Sequence, residues 1–375
     1  MSQSSLSIIQ HQWLTSPEAI FAAWQDFETA SRKQDNRKQD SLEAIDAFSH
    51  PDYLALERLM SAEEKGFVQG VMTAQSASGG SLWFPICLRP LPDYLEMPGY
   101  VDASSPYGYG GPLWVGGWTE QERAAFFGIW SEWCAEQKIV AEFIRCHPLL
   151  ENHRFLPDSY SCYSPKTVVW IDLTQSAEAI WAGLHPQKRR DINKKEAYGL
   201  VFHTEWTHIG AFSQIYQETM TQNQAQAYYF FSPEFYTTLE KTVTPPETLW
   251  LHSVSAEDTV LSSAMFLAAG TTVHYFLSGT NAAGRPKNAS TLLLWETICR
   301  AKEAGFSRMI LGGGVQAEDA LFQFKRRFSP QTMPYWIATR VHDARQYEKI
   351  KARVAQVAPD QKMPETLFFY RGISR

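Results

Sequence analysis

The sequence predicts an α/β (more closely α+β) chain with two related domains, each a mixed, largely antiparallel sheet flanked by helices. Three observations lead to this fold class. First, 375 residues exceed what one domain of average size requires. Second, strand-like and helix-like segments alternate through both halves of the chain. Third, the two halves show a similar order of elements, which suggests a duplicated unit. We therefore place the domains at residues 1–165 and 166–375.

Apolar spacing, capping residues and turn residues predict the elements of the N-terminal half. They are a strand at Leu6–His11, a helix at Ser16–Ala30, strands at Gly66–Gln75 and Leu82–Leu88, a helix at Thr119–Gln137 and a strand at Ile139–Arg145. Thr119 and Glu122 have the spacing of a capping box. Ser31–Asp40 has no apolar residue and is predicted to be a solvated loop or a mobile helix end.

The C-terminal half repeats this order of elements. We expect a strand at Thr167–Asp172, one helix from Ala177 through Gly199, helices at Ala211–Asn223 and Pro233–Thr242, a meander of strands at Leu249–Ser255, Val260–Ala268 and Thr272–Ser278, a helix at Ser290–Ala304, a strand at Met309–Leu311 and a helix at Glu318–Phe328. Gly305 is the expected C-terminal cap of the helix before it.

The charge of the chain is unevenly divided. The whole chain has 34 Lys and Arg against 40 Asp and Glu, which argues against a protein that coats duplex DNA. Residues 1–165 have a net charge of −10 and residues 166–375 a net charge of +4. The basic half would suit an anionic substrate such as a phosphate or pyrophosphate. A solvated surface without any ligand explains the same charges.

Neither the cysteines nor the apolar segments indicate a metal, a disulfide framework or a membrane span. The five cysteines are scattered and no CxxC occurs, so no metal site is predicted. The N-terminal segment lacks the pattern of a secretory signal. Ala264–Leu277, the most apolar stretch, is too short and too polar to cross a bilayer. The expected location is the cytoplasm.

Several catalytic signatures are absent from the sequence. It contains no GxxxxGK[ST], GxSxG, HExxH or GxGxxG motif, which disfavours P-loop NTPases, serine and zinc hydrolases and dinucleotide-binding enzymes. The remaining candidate segments bind and position ligands.

The first candidate segment is the loop SPYGYGGPLW. Gly110 and Gly111 would let the backbone approach a ligand, and Tyr107 and Tyr109 offer flat faces and hydroxyl groups. An ordered turn between domains is the alternative. The second segment is the basic run HPQKRRDINKKEAYG, in which Arg189 and Arg190 are candidate phosphate ligands or members of a solvated helix face.

Two further segments follow towards the C-terminus. Arg285 lies in a Gly/Asn/Pro loop, and Asn288 begins a helix whose N-terminus could bind an anion. Gly313 belongs to three glycines that end a predicted strand, where α/β folds bind ligands. Phe324 and Lys325 lie on the next helix, where the lysine could neutralise a phosphate or stabilise an oxyanion. A lysine on an exposed helix would do neither.

Taken in order, these segments resemble the FemAB family of the GNAT acyltransferase superfamily. The resemblance extends over roughly residues 100–330 and rests on SPYGYGGPL, FIRCHPLLEN, KTVVWIDLT, RRDINKKEAYGL, FSQIYQETMTQNQAQAYYFF, VHYFLSGTN, LGGG and FKRRF. It implies two tandem GNAT-like domains and an enzyme that transfers acyl groups to amines. The long coiled-coil arm of some members and the [RQ]xxGx[GA] loop of typical GNAT enzymes are not found in this sequence.

The resemblance implies an acyltransferase that uses acyl-CoA or aminoacyl-tRNA as co-substrate and holds no tightly bound cofactor. The acceptor would be an amino sugar or a peptidoglycan peptide of a cell-envelope precursor. The partners would be a phosphate-bearing precursor or the acceptor end of a tRNA, with at most peripheral membrane contact through a lipid-linked substrate. The missing arm slightly favours a donor other than tRNA.

Direct aminolysis is the expected reaction, because it needs orientation, oxyanion stabilisation and a proton acceptor but no covalent nucleophile. Resemblance to the peptidoglycan enzymes gives Lys325 the stabilising role. His274 and Tyr275 are candidates for the base, with buried structural roles as the alternative for each. A catalytically inactive module of the same fold, binding a nucleotide sugar or a peptidoglycan fragment, is the competing function.

Overall fold

The computed structural model describes residues 9–34, 45–226, 229–241, 247–359, 361 and 365–372. The predicted strand Leu6–His11 and the polar segment Ser31–Asp40 lie partly outside these ranges. Two compact units are present. One contains the described parts of Met1–Ala44, Glu64–Pro165 and Tyr335–Arg375, and the other contains Ile45–Glu63 and Lys166–Pro334.

The first unit is a mixed sheet with helices. Its strands are β1 (Gln10–Leu14), β2 (Val68–Gln75), β3 (Ser81–Pro90), β4 (Val101–Ser104), β5 (Leu113–Val115) and β6 (Ile139–Arg145). The order in the sheet is β1-β2-β3-β4-β6, followed by a strand from the C-terminal part of the chain, and β5 pairs with β3. Pairing is antiparallel except between β4 and β6. The helices assigned to this unit are α1 (Pro17–Gln34), α3 (Glu120–Glu136) and α10 (Ala344–Val357).

The start of α3 shows how local sequence fixes an element. The Thr119 hydroxyl accepts a hydrogen bond from the backbone N–H of Glu122, and the Glu122 carboxylate accepts one from the backbone N–H of Thr119. These bonds satisfy donors that a helix N-terminus otherwise leaves unpaired. The predicted capping box is therefore confirmed.

The second unit repeats the arrangement. Its strands are β7 (Ser161–Asp172, from Lys166 onwards), β8 (Val201–His203), β9 (Leu249–Ala256), β10 (Thr259–Ala269), β11 (Thr272–Thr280) and β12 (Arg308–Gly312). They follow the order β7-β12-β11-β10-β9-β8, with β11 and β12 parallel and the other neighbours antiparallel. Its helices are α2 (Pro51–Met60), α4 (Ala177–Gly183), α5 (Pro186–Asn193), α6 (Ile209–Gln222), α7 (Pro233–Lys241), α8 (Ala289–Glu303) and α9 (Ala320–Arg326).

A continuous apolar core holds the second unit together. β10 contributes Ala264, Phe266 and Ala268, alternate residues that share one face of the sheet. Leu292 and Leu293 of α8 pack into the same core. The two units share one order of elements. In the first, the antiparallel strands β2, β3 and β4 are followed by α3 and by β6, which is parallel to β4. In the second, β9, β10 and β11 are followed by α8 and by β12, which is parallel to β11. The predicted fold class, with mixed, largely antiparallel strand pairing and flanking helices in each of the two units, is confirmed.

The predicted domain boundary at residue 165 places two segments of the chain in the wrong unit. Residues 45–63 are part of the second unit, where the Thr248 hydroxyl donates to the Asp52 carboxylate at 2.7 Å. The described residues from Tyr335 onwards are part of the first unit, because β13 (Thr332–Val341) pairs with β6 and Arg371 donates to Asp102 of β4. These contacts between residues distant in sequence correct the predicted segments 1–165 and 166–375.

The prediction of one continuous helix from Ala177 to Gly199 is wrong, because two shorter helices occupy this segment. α4 ends at Gly183, and α5 starts at Pro186 and ends at Asn193. Proline cannot continue a helix through its own position, whereas it fits the first turn of a new one. Among the described residues, no helix combines the length and the apolar character that crossing a lipid bilayer requires.

Candidate functional site

The second unit has an opening between its two parallel strands. β11 and β12 pair only where Thr272–His274 lie opposite Arg308–Ile310. β11 then continues to Thr280, while β12 ends at Gly312 in the glycine loop, residues 312–314. The carboxyl ends of parallel strands are common places for a ligand, because unpaired backbone groups face the gap.

The glycine loop has a backbone that other residues would disturb. Gly312 has a φ of +80°. A Cβ on Gly314 would lie 2.0 Å from a carboxylate oxygen of Asp319. That carboxylate caps α9 by accepting from the backbone N–H of Phe322, and it also accepts from those of Val315 and Gln316. Asp319 thereby fixes the loop against the helix that carries Lys325.

Lys325 points into this loop. Its Nζ donates to the carbonyl oxygen of Gly313 at 2.8 Å, and the residue is only 8% exposed. The ring centroid of Tyr275 lies 5.8 Å from the same Nζ. The structure therefore brings Lys325, Gly313 and Tyr275, three of the predicted site residues, to the open end of the parallel strands.

The environment of Lys325 lowers the pKa of its amine to about 7. Burial is the main cause, because it penalises the charged form. The positive charge of Lys166 lowers the pKa further, whereas the Asp319 carboxylate opposes the shift. An amine with such a pKa exchanges protons near neutral pH, which is a property of catalytic acids and bases.

Lys166 is a site residue that the sequence did not single out. Its Nζ donates to the carbonyl oxygen of Gly314 at 2.9 Å, one residue along the loop from the acceptor of Lys325. A cavity of about 150 Å³ lies here and is lined by Lys166, Thr167, Gly314, Gln316, Ala317, Glu318 and Phe322. Lys166 is partly buried and follows five exposed residues of β7, so its spacing alone gave no signal.

The two candidate bases lie in different surroundings. Tyr275 packs against the core under α8, and its hydroxyl donates to that of Ser278 at 2.6 Å. Burial raises the pKa of this tyrosine. Adjacent strand residues point to opposite faces, and His274 accordingly contacts Asp46, with 2.7 Å between its Nε2 and a carboxylate oxygen. His274 also packs edge-to-face on Phe48 and is 1% exposed.

A second buried lysine, Lys188 of α5, contacts the first turn of α8. The Nζ of Lys188 donates to the hydroxyl of Thr291 at 2.9 Å and lies 3.9 Å from the ring centroid of Phe324. The ring of Phe328 is 4.8 Å away. Burial and the nearby Arg327 lower the pKa of Lys188 to about 8. Phe324, a predicted substrate-binding residue, thus packs against this lysine.

The predicted phosphate ligands near Lys188 lie closer to the surface. Arg189 donates to the carbonyl of Ala182, and exposed Arg190 donates to the side chain of Gln187. Arg285 is exposed in the loop before α8, where its guanidinium donates to the carbonyl of Thr280.

Asn288 is the N-cap residue of α8, in a left-handed conformation with φ of 54°. Its side chain makes no capping hydrogen bond. The positive end of the helix dipole and the basic residues around this turn favour an anion at the start of α8.

The remaining predicted residues belong to the first unit. The loop after β4 is tied to the end of β6, because the N–H of Gly110 donates to the carbonyl of Arg145. The carbonyl of Gly110 accepts from the side chain of Asn152. Gly111 has a φ of +93° and is packed so closely on Asn152 that a Cβ would lie 2.8 Å from its amide nitrogen. These contacts fix the shape of the loop.

The two tyrosines of this loop are partly buried. The ring of Tyr109 meets His147 and Tyr335 edge-to-face, at centroid distances of 5.6 and 5.7 Å. Tyr107 lies two residues earlier in the same loop. Substrate binding by Tyr107, Tyr109, Gly110 and Gly111 stays a prediction.

Comparisons with known proteins agree with this architecture. Residues 186–326 match the family described as "Acetyltransferase (GNAT) domain". No curated protein sequence matches the chain significantly. The crystal structure of FemX is similar with a TM-score of 0.57 at 11% identity, over 81% of this chain and 98% of that one. A conserved protein of unknown function from Bacteroides thetaiotaomicron VPI-5482 is similar with a TM-score of 0.51 at 11% identity, over 78% and 90%.

The matched domain includes α5, the opening between β11 and β12, and Lys325. The structural similarities, at these identities, concern the fold. Residues 186–326 therefore match a GNAT acetyltransferase domain, and the chain shares its fold with FemX, which agrees with the resemblance to the FemAB-like branch of the GNAT superfamily.

Proposed function

We propose that the protein is an N-acyltransferase that moves an acyl or aminoacyl group from an activated donor to an amine of a cell-envelope precursor. The observation that carries the proposal is the buried Lys325, held on the glycine loop at the open end of β11 and β12 within the GNAT domain. The acceptor class, an amino sugar or a peptidoglycan peptide, follows from the FemAB resemblance.

The reaction is direct aminolysis. A neutral amine attacks the carbonyl carbon of a thioester or ester, and a tetrahedral oxyanion forms before the donor carrier leaves. Holding both substrates in line supplies much of the rate enhancement, and donors aimed at the developing charge supply more. Lys325 is the group placed to interact with the reacting atoms, and the opening beside Tyr275 is where the acyl carbonyl would lie.

The donor carrier is acyl-CoA or aminoacyl-tRNA, and both bring phosphates. The start of α8 supports such a donor, because its helix dipole, Arg285 and Lys188 surround one turn with positive charge. The missing arm slightly favours a donor other than tRNA. Calorimetric titration with CoA and acetyl-CoA tests the carrier, since saturable micromolar binding supports the CoA branch and no binding supports aminoacyl-tRNA or a carrier-protein donor.

A panel of donors and acceptors tests the proposal. The purified protein is incubated with acetyl-CoA or aminoacyl-tRNA and with amino sugars or peptidoglycan precursor peptides, and products are identified by mass spectrometry. Lys325→Met should lower turnover about 10²–10³-fold, the usual cost of removing a group that acts directly on the reacting atoms. Lys349→Met, at an exposed position of α10, is the matched control and should keep full turnover.

Two results would contradict the proposal. A folded Lys325→Met protein with unchanged turnover would remove Lys325 from the reaction. Saturable binding of a nucleotide sugar or peptidoglycan fragment, without product from any donor, would instead identify the protein as a catalytically inactive binding module of this fold.

A further inference from the structure

Two lysines bind consecutive carbonyl groups of the glycine loop. Lys325 donates to Gly313 and Lys166 to Gly314, at 2.8 and 2.9 Å. One comes from α9 and the other from β7, so two separate elements bring like charges to one short loop. Like charges repel, and the loop carbonyls alone do not neutralise two ammonium groups.

The groups around Lys325 leave this repulsion only partly balanced. Asp319 is the carboxylate that attracts the Lys325 charge, but its oxygens already accept three backbone N–H groups. Tyr275 presents its ring from β11. Glu318, an exposed residue, lines the cavity beside Lys166. The net effect of these neighbours is to favour the uncharged amine of Lys325.

We propose that Lys325 is the base that accepts the proton of the attacking amine, and that Lys166 is a positioning residue whose charge on the adjacent carbonyl adds to burial in disfavouring the charged form of Lys325 before the reaction. The inference rests on the proposed function and gives that site its missing proton acceptor. His274 and Tyr275 are then not needed as bases.

A neutral Lys325 suits the geometry. One of its N–H groups still donates to the Gly313 carbonyl, while the nitrogen lone pair is available to accept a proton. The depressed pKa of the buried amine, near 7, gives a substantial neutral fraction at neutral pH. Lys166 is only partly buried, and its charge is the second cause, after burial, that lowers the pKa of Lys325.

The proton and electron balance of the step is complete. The amine lone pair forms the new C–N bond, and the carbonyl π electrons move to oxygen. An N–H proton passes to the lone pair of Lys325. When the intermediate collapses, the C=O bond re-forms and the C–S or C–O bond to the carrier breaks with its electron pair. The departing sulfur or oxygen takes the proton from the Lys325 ammonium, which restores the neutral amine.

The charge effect of Lys166 can be measured without turnover. Competitive labelling with acetic anhydride across a pH series, read by mass spectrometry of the peptide that contains Lys325, reports the pKa of that amine in the folded protein. Lys166→Met should raise it, and Lys166→Arg should keep it. Lys302→Met is the matched control, because Lys302 also donates to a carbonyl, that of Leu173, and its removal should leave the Lys325 profile unchanged.

The pH dependence of kcat then tests the base. With Lys325 as base, the rate rises with pH through about 7, and Lys166→Met moves this rise to higher pH. A shift of one pH unit would lower the neutral fraction at pH 7 about fivefold. Loss of a purely structural contact would lower the rate at all pH values and leave the midpoint in place. Lys325→Arg should be inactive, since arginine keeps its proton.

The outcomes distinguish the roles of Lys166 and Lys325 from the proposed acyl transfer itself. An unchanged Lys325 profile in Lys166→Met overturns the role of Lys166. A rate that falls as pH rises through 7, or an active Lys325→Arg, overturns the base and favours a charged Lys325 at the oxyanion. Absence of any product in wild type, with the labelling shift present, contradicts the proposed function while the coupling of the two lysines holds.

Discussion

The buried Asp102 should make the stability of the first unit depend on pH in an unusual direction. Asp102 lies on β4 and is 2% exposed. Its carboxylate accepts hydrogen bonds from the Tyr370 hydroxyl and the Arg371 guanidinium. Burial nevertheless raises the pKa of this carboxyl to about 6, although both partners favour its charged form. Asp102→Asn removes the titration and keeps an oxygen that can accept from Tyr370.

The magnitude follows from the difference between the folded and unfolded pKa values. An aspartate in an unfolded chain titrates near 3.9, so the shift is about two pH units, or about 3 kcal/mol. Because the folded pKa is the higher one, the folded protein keeps a proton between about pH 4 and 6 that the unfolded chain releases. The free energy of unfolding contributed by Asp102 is therefore greatest below pH 4 and falls as the pH rises to 6.

Urea unfolding at a series of pH values, followed by tryptophan fluorescence, measures this effect. The difference in unfolding free energy between wild type and Asp102→Asn should change by about 2 kcal/mol between pH 4 and 6.5, since the rest of the full shift is reached only below pH 4. Asp158→Asn, at an exposed position of the same unit, controls for loss of a surface charge. Parallel curves for wild type and Asp102→Asn would refute the reasoning.

Three other substitutions test the account of the fold. Thr119→Ala removes the hydroxyl that accepts from the Glu122 N–H and should lower the free energy of unfolding by about 1 kcal/mol, measured by urea unfolding. An unchanged urea midpoint would show that the cap does not stabilise the protein. Gly128 lies in α3 with open space around a Cβ, so Gly128→Ala should raise the free energy of unfolding by about 0.5–1 kcal/mol. A lower free energy of unfolding would show that the added Cβ meets a neighbour. Burial lowers the pKa of His252 to about 3, so protonation of the unfolded chain should reduce the unfolding free energy by about 1.4 kcal/mol per pH unit below 6.5. His252→Gln should remove that part of the slope, and an equal slope in the variant would show that His252 is not its source.

Elements with local signals could be predicted from the sequence. The capping box at Thr119, the glycine after α8 and the turns between β9, β10 and β11 depend on residues a few positions apart. Pro186 was an available signal for the break between α4 and α5, since proline favours the first turn of a helix. The prediction of one long helix followed the apolar spacing and missed that proline.

The site was predictable only in part. Phe324 and Lys325 were found through the FKRRF segment, whereas Lys166 reaches the same loop from a strand about 160 residues earlier, and no spacing rule spans that distance. Strand geometry already separates His274 from Tyr275. Adjacent residues of one strand point to opposite faces, so the two candidate bases could not line the same cavity.

The pairing of β13 with β6 has a consequence for how the protein is made. A ribosome releases β6 almost two hundred residues before β13, so the sheet of the first unit lacks this strand throughout that interval of synthesis. Until then an edge of β6 is available for the wrong strand, which is a known route to aggregation. A chain cut after residue 334 would lose β13 residues, α10 and Tyr370 together, and nascent chains of this protein should depend on protection by chaperones.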